Sequence, residues 1–141
     1  MSQTYIPAAL RRLVRERAQD RCEYCLIPES VTLAAHWIDH IVAEKHGGKT
    51  DAENLANSCT LCNQHKGSDL SSIDPETGLI VPLFNPRRDS WSEHFRLTGG
   101  RIEPATATGR VTEQLLQFNR ANRIAEREQL VLVGLLRPTE Q

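Results

Sequence analysis

Cys22-x-x-Cys25 and Cys59-x-x-Cys62 share one spacing, and between or beside them stand Asp39-His40, Asn54 and Asn63. A pair of cysteines two residues apart places two thiolates on one knuckle. Two such knuckles complete the tetrahedral four-thiolate set that structural zinc takes. The chain has 4 cysteines, so one site uses them all. With the knuckles held together, Asp39 offers a hard oxygen ligand, His40 a base that titrates near neutrality, and Asn63 a second oxygen beside Cys62. Such a set can hold one divalent cation and activate one water, which is the equipment for hydrolysing a phosphodiester. On a strand, Asp39 and His40 would point to opposite faces and could divide these tasks.

Disulfides are the competing use of the cysteines. The opening MSQTYIPAALRRLVRERAQD has arginines where a secretory signal carries an apolar run, so a cytoplasmic setting and a metal site are expected. The longest apolar run, 130–136, is too short to span a bilayer, and a soluble protein is expected. A length of 141 residues suits a single domain with a modest core. The formal net charge of −1 gives no global support for a nucleic-acid partner. The basic residues are mostly arginine, a side chain suited to bidentate phosphate contact, and they fall towards both ends of the chain. The competing reading is solvated helix faces paired with neighbouring carboxylates.

Pro7 followed by apolar residues at helical spacing predicts an amphipathic helix over 8–19, leading into the first knuckle. Residues 31–42 are rich in β-branched and aromatic types and predict a strand or short hairpin, broken at His46-Gly47-Gly48-Lys49. A polar loop with a short helical turn is expected over 51–55, and a helix over 63–70. Asp74-Pro75-Glu76-Thr77-Gly78 marks a turn before a strand at 79–84 interrupted by Pro82, and a hairpin is expected at 94–103. From Val111 the pattern is helical. Asn119 is a candidate cap for a second helix with Ala121, Ile124, Val131 and Leu135 as its buried stripe, and the last few residues are expected to fray. Tyr24 and Trp37 are expected in the core, His36 in packing or support of its neighbours, and His46 in a loop.

The runs C-E-Y-C, W-I-D-H-I-V, G-G, E-N-L and C-T-L-C-N-Q-H-K-G resemble, in combination, the HNH endonuclease family with its ββα-metal motif; the resemblance covers 22–69. It implies that His40 is the general base, that Asp39 binds the catalytic metal, and that Asn63 is the second ligand. It further implies that Asn54 bonds backbone in the catalytic loop and holds His40 in position, and that the product carries a 5′-phosphate. The stretch L-F-N-P-R-R-D-S-W-S-E-H-F resembles a bacterial subgroup of the family with a C-terminal extension, but assigns no catalytic role. Many members have histidine where this chain has Asn63. An amide oxygen shifts the preference from zinc or nickel towards Mg²⁺ or Mn²⁺. His65, two residues on, is the substitute ligand or a phosphate contact.

The expectation is therefore an α+β fold: a ββα-metal motif stabilised by zinc on Cys22, Cys25, Cys59 and Cys62, flanked by an N-terminal helix and a mixed extension over 79–136 packed on it. The expected activity is metal-dependent cleavage of nucleic acid, with DNA the favoured substrate. His40 and Asn54 form the catalytic loop, Asp39 and Asn63 hold the catalytic metal, and His65, Lys66, Arg87 and Arg88 are candidates for substrate contact. The alternative is a non-catalytic zinc ribbon that binds nucleic acid or protein. It has no need for Asp39, His40, Asn54 and Asn63 together.

Overall fold

The computed structural model describes residues 5–139. The expected fraying reaches Glu140 and Gln141, which lie outside the described residues. Among those described are five α-helices and six short strands, the strands paired antiparallel two by two, a mixed α+β architecture. The chain divides into two compact units. The first runs up to Leu70 and takes back Asn85–Arg88; the second comprises Ser71–Phe84 and the chain from Asp89 onward.

In the first unit, Pro7 fixes the entry to α1 (Ala8–Arg17), accepting the backbone N–H groups of Leu10 and Arg11 on its carbonyl. The helix buries Val14 against Ile6 and Leu55, with Leu10 and Ile38 around them. Full burial of such an aliphatic side chain is worth about 1.5–3 kcal/mol. Gln19 and Asp20, both at positive φ, end α1 and turn the chain into the first knuckle.

The strand expected across 31–42 is confined to β1 (Trp37–His40). Upstream, Pro28 leads into a single 3-10 turn at Glu29–Val31, and Thr32 bonds the carbonyls of Glu29 and Ala34 through its hydroxyl, which removes that stretch from a ladder. The partner of β1 is β2 (Leu55–Ser58), in the register Trp37 to Ser58, Asp39 to Ala56 and His40 to Leu55. Between them the chain makes a 3-10 turn at Glu44–His46 and passes through Gly47 at φ 89°. Gly48 cannot carry a side chain: a Cβ would lie 1.7 Å from the Val42 carbonyl oxygen and 2.8 Å from Asn54 Nδ2. After a second 3-10 turn at Ala52–Asn54 and β2 comes α2 (Thr60–Lys66), so the local order is ββα. Helix α2 starts earlier than the expected 63–70, because Cys59 caps it through Sγ.

The second unit opens with β3 (Ser71–Ile73) and β4 (Ile80–Pro82), joined by the Asp74–Gly78 turn, with Pro82 ending its strand. A short α3 (Trp91–His94) leads into the β5 (Phe95–Thr98) and β6 (Arg101–Pro104) hairpin, as the sequence predicts. Thr106 caps α4 (Ala107–Leu116) by accepting from the Gly109 N–H, so this helix starts before Val111. Phe84, Phe95 and Phe118 pack edge to face in the core of the unit. Two expectations about α5 (Ala121–Leu132) are corrected. Asn119 does not cap it; its side chain bonds both backbone groups of Ile102 instead. The buried side is Arg123, Arg127 and Leu130, while Ala121 and Leu135 are exposed. The guanidiniums are buried because they satisfy carbonyls that lack partners in a ladder. Arg123 reaches those of Leu116 and Gln117 past the end of α4, and Arg127 those of Gly100 and Phe118. No helix among the described residues is long and apolar enough to cross a membrane.

Candidate active site

The two knuckles meet. One ligand atom from each of Cys22, Cys25, Cys59 and Cys62 lies within 4.8 Å of every other, and all four residues are buried. Tetrahedral zinc with Zn–S bonds of about 2.3 Å sets sulfurs roughly 3.8 Å apart, and Cys25 Sγ and Cys59 Sγ are 3.6 Å apart. In each knuckle the second cysteine donates its backbone N–H to the first sulfur, at 3.4 Å for Cys25 to Cys22 and for Cys62 to Cys59. Burial pushes the thiols of Cys22 and Cys62 well up, while hydrogen bonding, first with Cys22, lowers Cys59. A buried all-sulfur set with inward N–H donors fits a soft-tolerant dication, whose binding displaces the thiol protons. The cluster is positioned to bind a metal ion, and its chemistry suits zinc.

Strand β1 carries Asp39 and His40 to the wall of a cavity of about 610 Å³, which Asn63 enters from α2. Asp39 is buried, and both of its bonds fall on Oδ2: the Tyr24 hydroxyl donates at 2.9 Å and the Lys66 ammonium lies at 3.1 Å. Burial raises the Asp39 carboxyl above its ordinary range despite Lys66 and Tyr24, which pull the other way. Oδ1 is the oxygen left for a ligand. Asn63 lines the same cavity as Asp39.

His40 Nε2 is 2.8 Å from Thr50 Oγ1. Asn54 ties down the intervening loop: its Oδ1 accepts the Val42 N–H, and its Nδ2 donates to the carbonyls of Val42 and Lys49, each at 2.9 Å. The loop is further held to α1 by Arg17, which donates to the Ala52 and Leu55 carbonyls.

The remaining sequence candidates are dispersed. Lys66 does not reach outward; only 2% exposed, it lies on Asp39 and donates to the carbonyls of His40 and Ile41. Arg87 is ion-paired with Glu23, whose other oxygen accepts the Asn57 N–H at 2.8 Å. Arg88 is exposed, and His65 is half-buried on α2. His36 is buried and accepts from the Asn57 amide at 3.0 Å on Nδ1; burial lowers its pKa. Tyr24 is in the core, as expected, but Trp37 is not: it is 41% exposed and lines the cavity.

Thr50 and the Tyr24 hydroxyl go unnamed as site groups in the sequence reading, while Lys66, expected at the substrate, is instead buried on Asp39. For Thr50 no signal was available, since a lone threonine before a loop aspartate has no periodicity. For Lys66 the clue was a cation one helical turn from Cys62, the cysteine that fixes α2.

Residues 22–69 match the family model described as HNH endonuclease. No curated protein and no solved structure matches the chain. The matched span contains both knuckles, β1, β2 and nearly all the cavity wall. Over residues 22–69 the chain is accordingly similar to the HNH endonuclease family, with a four-cysteine cluster consistent with the zinc-binding type of that family.

Proposed function

We propose that the chain is a metal-dependent endonuclease that hydrolyses phosphodiester bonds in nucleic acid, with DNA as the substrate and the cytoplasm as its setting. One observation carries the reading: Asp39, His40 and Asn63 line a single cavity within the HNH span. In the tautomer that donates Nε2–H to Thr50, His40 keeps Nδ1 as the proton acceptor. His40 then removes a proton from water as the oxygen attacks phosphorus, and the P–O3′ bond breaks. The products are a 5′-phosphate and a 3′-hydroxyl, the latter protonated from solvent. Asp39 Oδ1 and the Asn63 amide oxygen would hold Mg²⁺ or Mn²⁺, which supplies charge stabilisation for the phosphate and the leaving oxygen. Asn54 holds the Val42 to Lys49 loop and so fixes the approach of Thr50 to His40. General-base catalysis of this kind is worth roughly 10²- to 10⁴-fold.

A second reading has its own observation. Asp39 already faces an internal cation in Lys66, so its charge has a partner without a bound metal. Plasmid cleavage with Mg²⁺, Mn²⁺ or EDTA separates the two. On the endonuclease reading, wild type nicks or linearises plasmid with the metal, and His40→Ala loses about two orders of magnitude or more in rate with zinc content and melting temperature near wild type. Equal cleavage by His40→Ala removes His40 as the base. No cleavage of DNA or RNA with any divalent cation leaves the binding module.

A further inference from the structure

We infer that Trp37 is a stacking platform for one unpaired nucleobase, so that the strand entering the cavity is single-stranded, frayed or carries a flipped base. The inference rests on the endonuclease reading for its purpose, but it is carried by different residues. Single exposed apolar side chains are ordinary on protein surfaces; Trp37 is distinguished by where it is exposed. It leaves 41% of its surface open while lining the same cavity as Asp39 and Asn63. Strand alternation puts it on the face of Asp39, two residues away. Two residues of strand rise are about 6.7 Å, a separation one nucleotide spans between its phosphate and its base. Among the described residues β1 pairs with β2 alone.

The surrounding charge fits a nucleotide strand. Arg11 from α1 and Lys45 from the β1–β2 connection are both exposed and line the cavity, on the same wall as Glu44. Arg11 is steadied there by its Nε, which donates to the Ile6 carbonyl at 2.9 Å. An aromatic face in a cavity that also carries two exposed cations is the combination that tracks single strands: the ring accepts any base and the cations take phosphates. A base inside a duplex offers no free face, so stacking on Trp37 requires one that is out of the helix.

The test uses the full-length, zinc-loaded protein without added divalent cation, so that binding is read in the absence of cleavage. Fluorescence anisotropy is measured with 12-mer oligo(dT), with 12-mer oligo(U), and with a duplex of mixed sequence. Trp37→Ala weakens binding to whichever single strand the wild type prefers by roughly 5- to 150-fold, the range for one stacked base, and leaves duplex binding within about twofold. Trp37→Phe keeps most of the affinity, whereas Trp37→Leu, equally apolar but without a π face, behaves like alanine. Equal binding by the leucine and phenylalanine variants overturns the proposal, as does an equal loss on single strand and duplex. The Phe and Leu pair decides the matter if the alanine variant fails to fold. Plasmid cleavage by the same preparations keeps the two readings apart. Cutting with no stacking effect sinks only the platform; a stacking effect in a protein that never cuts sinks only the nuclease.

Discussion

Replacing Lys66 by methionine removes the ammonium from Asp39 while keeping most of the aliphatic stem. In the folded chain that ammonium is buried with the carboxylate at 3.1 Å and also donates to two β1–loop carbonyls, at 3.4 Å to His40 and 3.1 Å to Ile41. Breaking a buried ion pair from one side costs about 3–5 kcal/mol, because the partner charge stays behind without compensation. Domains of this size are stable by only about 5–15 kcal/mol, so Lys66→Met takes a large share of the total. Asp39→Asn should cost a similar amount by stranding the ammonium. The double variant should lose clearly less than the sum, since it leaves no orphan charge. Urea unfolding of the four proteins, at saturating zinc and with an osmolyte if the single variants are marginal, gives the cycle. Metal binding provides a second readout. Without Lys66 the Asp39 carboxylate loses its resident cation and Oδ2 keeps only the Tyr24 hydroxyl, so Mn²⁺ should bind Lys66→Met more tightly than wild type and restore part of the lost stability. A loss below about 1 kcal/mol with additive behaviour in the cycle would refute the ion pair as the structure draws it.

Cys59→Ser should lose bound zinc and the cooperative fold, because zinc-binding free energy in small sites, on the order of 10 kcal/mol, is largely folding free energy; metal analysis and circular dichroism check this, and a zinc-free protein with a native spectrum is the contrary result. Asn63→Ala should weaken activation by Mn²⁺ far more than His65→Ala, because Asn63 is the residue that lines the cavity with Asp39; the reverse ranking in Mn²⁺ titrations of cleavage would move the ligand to His65. Asp74 accepts from both Arg110 nitrogens, from Thr77 and from the Glu76 N–H, and the Arg110 bonds above all hold its carboxyl far below the ordinary range. A depressed carboxyl stabilises fully above its unfolded value of about 3.9 and loses that contribution as pH falls, so melting temperature should drop on acidification below about pH 4 and Asp74→Asn should flatten that acid limb.

What could be read in advance was what depends on spacing. The cysteine pairs name their own geometry, and the Asp39-His40 step together with Asn63 gave the cavity its polar wall before any fold was in view. What could not be read depended on partners distant in sequence. Leu55-Ala56-Asn57-Ser58 has little strand propensity, and becomes β2 only because β1 offers a ladder and Leu55 is drawn under α1. Residue type alone places Trp37 in the core, yet at the first position of β1 it stands 41% exposed. The α5 stripe failed because a count of apolar residues cannot foresee arginines buried on carbonyls, and Lys66 was misjudged for the same reason.

That pattern bears on the arginines as a class. Their abundance, set against a net charge of −1, invites a search for a phosphate-binding face. Arg17 is bound to the carbonyls of Ala52 and Leu55, Arg87 to Glu23, Arg110 to Asp74 and Glu76, and Arg123 and Arg127 to helix-end and hairpin carbonyls. In a chain whose strands are three or four residues long, many carbonyls lie beyond any ladder. A five-donor guanidinium satisfies several at once where a lysine satisfies fewer in less fixed geometry. Arg17, Arg123 and Arg127 serve that shortage while Arg87 and Arg110 serve carboxylates, and overall composition therefore says little about nucleic acid. On the proposed reading, the cations placed to meet a substrate strand are the exposed ones that line the cavity, Arg11 and Lys45. That reading predicts an electrostatic pull local to the cavity mouth and a shallow salt dependence of binding, with a slope near that of two phosphate contacts.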